Sequence, residues 1–181
     1  MILVVDMNWK EDSLGFYEFV VPILTIAKKL DDFVVRHYLK ITSQDLNRCN
    51  KIILSGTALK DNAFLSHLEL FHWIKEIEKP SLGICAGMEV LGMVFGADLI
   101  ESLEIGMTMI QTVKVNPLFF GDFKAYSLHS YCVKPSDSFD ILAKSAKSVQ
   151  AIKHKNKKIY GLLFHPEVRN QEILINFINK V

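Results

Sequence analysis

Short apolar runs alternate with segments of helical period along the first half of this 181-residue chain. Ile2–Val5, Phe33–Arg36, Lys51–Leu54 and Leu82–Ile84 are brief apolar segments bounded by polar or turn-forming residues, the pattern of buried strands. Between them Leu14–Leu30 reads as a helix bent or started at Pro22. Phe64, Leu68, Phe71, Ile74 and Ile77 recur at helical spacing and predict one amphipathic helix over Ala63–Glu78. Beyond Ala97 the pattern changes to strand-like runs at Thr108–Val115, Lys124–Leu128, Phe139–Ser145, Val149–Lys153 and Ile159–Phe164. Ile173, Leu174, Phe177, Ile178 and Val181 then close the chain as a helix with one apolar face. This order predicts an α/β fold: a flavodoxin-like, open, mainly parallel sheet flanked by helices, with additional antiparallel strands in the C-terminal half. No repeat, low-complexity segment or linker interrupts it, so residues 1–181 are expected to form one domain.

One segment adds chemistry to that framework. Gly83-Ile84-Cys85-Ala86-Gly87-Met88 joins the strand at Leu82–Ile84 to an apolar helix beginning near Met88. Small residues on either side of Cys85 permit a sharp strand-to-helix turn that pushes one side chain into a cleft, the mechanics of a nucleophile elbow. A thiol at a helix N-terminus also meets the positive end of the dipole, which predicts a lowered pKa. Taken alone, a cysteine packed in a Gly-rich turn explains the segment equally well. A base shifts the balance. His165 ends the apolar run Leu162–Phe164, Pro166 forces a turn, and Glu167 lies two residues on, where it can orient the imidazole. Cysteine, histidine and carboxylate at strand ends form an arrangement for acyl transfer.

Composition narrows the class without specifying it. Half of the residues are hydrophobic and the formal net charge is +1, so there is no electrostatic case for nucleic acid or membrane surfaces. Cys49, Cys85 and Cys132 form neither a CxxC pair nor a regular spacing, which argues against a disulfide framework or a zinc site. No basic leader is read at the start and no apolar run is long enough to span a bilayer, so a reducing cytoplasm is expected. His67 and His72 are five positions apart, on different helical faces, and are not read as metal ligands. Lys153–Lys158 is a basic run between two strand-like segments, a solvated hairpin turn. Met88, Met93, Met107 and Met109 are read as core filler.

Gly-Ile-Cys-Ala-Gly-Met, followed 80 residues after Cys85 by Phe-His-Pro-Glu-Val, resembles the class I, or triad, glutamine amidotransferases. The likeness covers nearly the whole chain and is greatest to the amidotransferase domain or subunit of GMP synthases. Ile2–Asp6, Lys51–Gly56, Glu104-Ile105-Gly106, Asn116–Phe119, the segment around His129 and Ile159-Tyr160-Gly161 fall in the family's order. The resemblance implies that Cys85 attacks the side-chain amide of glutamine, that His165 moves the proton and that Glu167 orients His165. It further implies an oxyanion site built from backbone N–H groups at Ala86 and the Gly56-Thr57 loop, and places His129 at the cleft rim. No cofactor or metal is implied; the implied partner is a synthetase subunit such as an ATP-pyrophosphatase chain, because this chain contains no such domain.

Three positions depart from the family pattern. Thr57 stands where a second glycine is usual, Glu89 replaces a glutamine, and Tyr131 occupies an aspartate position. Glu89 lies one helical turn past Cys85, where its charge is expected to oppose ionisation of the thiol. Three functions stay open: a glutaminase subunit feeding ammonia to a separate synthetase, a free-standing γ-glutamyl hydrolase, and a catalytically silent regulatory homologue.

Overall fold

The computed structural model describes residues 1–181. A nine-stranded sheet runs through the molecule in the order β2-β1-β3-β4-β9-β8-β7-β5-β6. Its parallel half comprises β1 (Ile2–Asp6), β2 (Phe33–His37), β3 (Lys51–Leu54), β4 (Ser81–Ile84) and β9 (Ile159–Leu162). The antiparallel half comprises β5 (Asp98–Thr112), β6 (Phe123–Lys134), β7 (Phe139–Lys144) and β8 (Val149–His154). The expected α/β architecture, with a parallel core and antiparallel additions, is therefore present.

Alternation along β1 explains why the parallel strands are apolar throughout. Ile2 and Val4 face one core with α1 (Val21–Ala27) and α5 (Glu172–Lys180). Leu3 and Val5 face a second core containing Phe64, Phe71, Ile74 and the inner side of α4 (Ala86–Val94). A strand covered on both faces has no polar side to show.

Several expected elements differ. Leu14–Leu30 is not one helix: a π-helical turn over Phe16–Val20 leads into α1, with Pro22 in the first turn, where its missing N–H costs no helical bond. Ala63–Glu78 breaks into a 3₁₀ segment, Ala63–Phe71, and a short α3, Trp73–Glu76, with His67 at non-helical angles. Phe64, Phe71 and Ile74 still reach the core, so the apolar period is satisfied without a continuous helix. A short α2 (Ser43–Arg48), closed by a Thr42–Asp45 capping box, has no counterpart in the expected elements. The strand expected at Thr108–Val115 starts at Asp98 and ends at Thr112, while β6 extends well past Leu128. Their polar residues hid them: β5 and β6 form a long hairpin covered on one face only.

The same hairpin corrects the methionine reading. Met88 is in the core and Met93 is half-buried, but Met107 and Met109 are 48% and 49% exposed on the outer face of β5. Lys153–Lys158 spans the β8–β9 turn, as expected. No helix is long and apolar enough to cross a membrane.

Candidate active site

The elbow is built by close backbone contact. Cys85 sits at φ +47°, ψ −105°, a conformation that L-residues adopt only under constraint. The constraint is visible on both sides. Cys85 N–H donates to the Leu162 carbonyl at 2.7 Å, and Gly87 N–H to the Ser55 carbonyl at 3.2 Å. A Cβ on Gly83 would stand 2.4 Å from the Gly87 backbone, and one on Gly87 would stand 2.6 Å from the Leu54 carbonyl. Glycine at both positions lets β3, β4 and α4 approach closely enough to hold the turn.

His165 lies beyond the end of β9, its N–H tied to the Tyr126 carbonyl at 2.8 Å. Its Nδ1 is 2.7 Å from Glu167 Oε1, and both side chains are sealed from solvent. Its Nε2 has no hydrogen-bond partner. The Cys85 thiol instead donates to the Leu128 carbonyl at 3.6 Å. Gly56 packs against both groups: a Cβ there would stand 2.6 Å from His165 Cε1 and 3.4 Å from Cys85 Cβ. Cys85, His165 and Glu167 are thus brought together from separate stretches of chain.

Burial governs their protonation. The buried Cys85 thiol is pushed above its ordinary pKa, an effect that proximity to His165 only partly offsets. The expected lowering by the α4 dipole does not prevail, because a sealed thiolate forfeits more hydration than the helix end returns. Burial works against a charged His165 too, but the adjacent Glu167 charge and the contact with Cys85 outweigh it and hold the imidazole well above its usual range. Glu89 is 4% exposed and its carboxyl is raised by burial to about 8. At neutral pH it is a neutral acid, so the expected charge repulsion on Cys85 is absent there and returns only as pH passes 8.

Thr57 and Ala86 line the crevice around Cys85, which has space for about 10 Å³, room for about one water molecule. As the first residue of α4, Ala86 has an N–H that no intrahelical carbonyl can take. Thr57 Oγ1 donates to the Asp61 carbonyl at 2.9 Å, Asp61 Oδ2 accepts from Trp9 N–H at 2.8 Å, and Ser130 Oγ donates to the Leu59 carbonyl at 3.4 Å. The first bond folds the loop after β3 on itself, and the other two tie it to Trp9 and to β6 beside the thiol. Behind the loop, between residues 8–18 and 58–63, lies a groove of about 780 Å³ that leaves it room to move outward.

His129 lines the crevice, as expected, but from its buried wall. Its side chain is fully buried, with Nε2 3.4 Å from Glu104 Oε2. That oxygen also accepts from Ser145 Oγ at 3.0 Å, Ser148 Oγ at 2.6 Å and Gln150 Nε2 at 2.8 Å. Burial depresses the His129 pKa, so the ring stays neutral as part of a polar network in the crevice wall. Sequence reasoning singled out Glu104 only as part of a short motif. Pairing it with residues 41 to 46 positions away required the β7–β8 turn to fold against β5.

An open sheet with a parallel half, a cysteine on a strained elbow at the end of one parallel strand and a carboxylate-held histidine beside it define an α/β protein equipped for thiol chemistry. The chain belongs to the class-I glutamine amidotransferase family, whose model matches residues 21–180. A subunit of the glutamine-hydrolysing GMP synthase of Methanocaldococcus jannaschii is 39% identical over 109 residues, 54% of this chain and 58% of that relative. The chain thus aligns with less than two thirds of that relative's length. The GMP synthase of Staphylococcus saprophyticus is 30% identical across 100% of this chain and 36% of its own length. Among solved structures, a Thermoplasma acidophilum protein assigned as a GMP synthase subunit superposes with a TM-score of 0.85 at 25% identity, covering 98% of this chain and 92% of that one.

Proposed function

We propose that this chain is a glutaminase subunit that hydrolyses the side-chain amide of glutamine and passes the ammonia to a separate synthetase of the GMP synthase kind. The observation that carries the reading is the sealed 2.7 Å pair of His165 Nδ1 and Glu167, with the free Nε2 turned to the Cys85 neighbourhood. Cys85 swings from the Leu128 carbonyl, gives its proton to Nε2 of the neutral form of His165, whose raised pKa makes it a strong base, and attacks the amide carbon. Glu167 steadies the imidazolium that forms. N–H groups at Ala86 and the Gly56-Thr57 loop hold the oxyanion. As the C–N bond breaks, the proton on His165 leaves with ammonia and a thioester remains. Water then gives a proton to His165, attacks the thioester, and glutamate departs as the thiol is restored. Three unpaired cysteines suit a reducing compartment.

The near-closed crevice supports dependence on the partner, since glutamine cannot enter until the loop after β3 moves. The deciding experiment measures ammonia and glutamate from glutamine, with and without the ATP-pyrophosphatase chain of a two-subunit GMP synthase. Slow release alone and faster release with the partner are expected. Fast release that ignores the partner would favour the γ-glutamyl hydrolase, and none under either condition the silent homologue.

Thr57→Gly should raise the unpartnered rate about fivefold, because it removes one hydrogen bond of about 1 kcal/mol that keeps the loop folded in its closed shape. Steady-state kinetics on the isolated chain check this, and an unchanged rate would free Thr57 of the gating role.

A further inference from the structure

The outer face of the β5–β6 hairpin is apolar where a solvated face is expected. Residues directly opposite across an antiparallel pair share a face. The pairs Ile105–Leu128, Met107–Tyr126 and Met109–Lys124 therefore form one stripe. Ile105 is 60% exposed, Met107 48% and Met109 49%, with exposed Leu103 and Val113 continuing the row. The inner face is already packed through Glu104, Ile110, Ala125, Ser127 and His129, and Tyr126 and Leu128 are half-buried towards the site, so the β5 side of the stripe serves no core of this chain. Contiguous exposed apolar surface of this kind marks an interaction site.

Position and charge identify what covers it. Leu128 lines the crevice and its carbonyl holds the Cys85 thiol, while the Tyr126 carbonyl holds the His165 N–H. A protein seated on the stripe therefore borders the place where ammonia is released. Lys124 lies on the stripe, Lys144 is paired across from Gln111 beside it, and Lys147 reaches the Leu103 carbonyl. None of these three is in a salt bridge, whereas nearby Asp140 is already paired with Lys114 and Asp122 accepts from Thr112 N–H. A second copy would bring its own unpaired lysines against these, which like-charge repulsion disfavours. The fitting occupant is a different protein with an apolar centre and a carboxylate rim.

We infer that the Ile105–Met107–Met109 face is where the ATP-pyrophosphatase chain docks, its carboxylates meeting Lys124 and Lys144. The inference rests on the proposed glutaminase reading and adds the surface through which that partner acts.

The test titrates the full chain, and its Met107→Asp and Lys124→Glu variants, with the ATP-pyrophosphatase chain encoded in the same genome. Leu39→Asp, an exposed position after β2 at the opposite edge of the sheet, is the control. Met107→Asp should weaken binding by roughly tenfold or more, as loss of a central interface contact does. Lys124→Glu should weaken it less and reduce its sensitivity to salt. Both should keep the unpartnered glutaminase rate and lose the stimulated one, while Leu39→Asp behaves as the parent. Parent-like binding by Met107→Asp and Lys124→Glu would overturn the proposal, as would a parent that does not bind the ATP-pyrophosphatase chain, or a parent dimer that Met107→Asp splits. If glutamine yields no ammonia yet binding is lost in Met107→Asp, the glutaminase reading fails and the surface stands.

Discussion

Cys85→Ala should abolish formation of glutamate from glutamine, by about 10⁴-fold or more, while leaving the fold in place. The size follows from the chemistry: without sulfur no thioester forms, and His165 has no nucleophile to deprotonate. The fold survives because the elbow is held from outside the side chain, by Leu162 and Ser55 carbonyls and by glycines at 83 and 87. Alanine tolerates the φ of +47° about as poorly as cysteine, so strain is unchanged. Cys49 is buried in the core of Leu3 and Val5 and Cys132 among Met88, Val133 and Phe139; neither lines the crevice, and their alanine variants should keep the activity. Ammonia release, read beside circular dichroism, checks all three. Activity near the parent's in Cys85→Ala would refute the thioester route.

Glu89→Gln should stabilise the chain, and only above the acidic range. The Glu89 carboxyl lies at about 8 in the fold against 4.5 as a free side chain. Between those values the folded state binds a proton that the unfolded state has released, so stability falls as pH rises from 4.5 towards 8. At about 1.4 kcal/mol per pH unit the loss approaches about 3 kcal/mol at pH 7. Glutamine has nearly the same shape and no charge, so it should recover about 1–3 kcal/mol at pH 7 and nothing at pH 4. Urea unfolding at the two pH values measures the difference. The thiol should respond along the same axis: alkylation of Cys85 should be alike in parent and variant at pH 7 and diverge above pH 8, where Glu89 ionises. Equal gains at pH 4 and pH 7 would mean that ionisation of Glu89 is not the cause.

The cluster of Cys85, His165 and Glu167 and the strands were legible in the sequence for related reasons. β1, β3 and β4 are short runs buried on both faces, and local composition records that directly. The elbow was legible because its backbone geometry excludes side chains at Gly83 and Gly87, leaving a fixed spacing of small residues around Cys85. His165 and Glu167 are two positions apart, so their pairing is local once Pro166 sets the turn. The split of Ala63–Glu78 was hidden, because the same apolar spacing serves a broken segment and a continuous helix. So were the length of β5 and the fate of its methionines, since an exposed and a buried apolar row have the same period.

By itself the sequence determined the α/β order, the elbow, and the residue types available for thiol chemistry, because each depends on neighbours close in the chain. Tertiary structure alone decided that His129 pairs with Glu104 in the crevice wall, that Glu89 is a neutral acid, and that Asp61 and Leu59 tie the loop down beside Cys85. Burial and distance are properties of the packed chain. A carboxyl one turn from a thiol has one charge in water and another when the sheet, the loop and the hairpin have shut the water out.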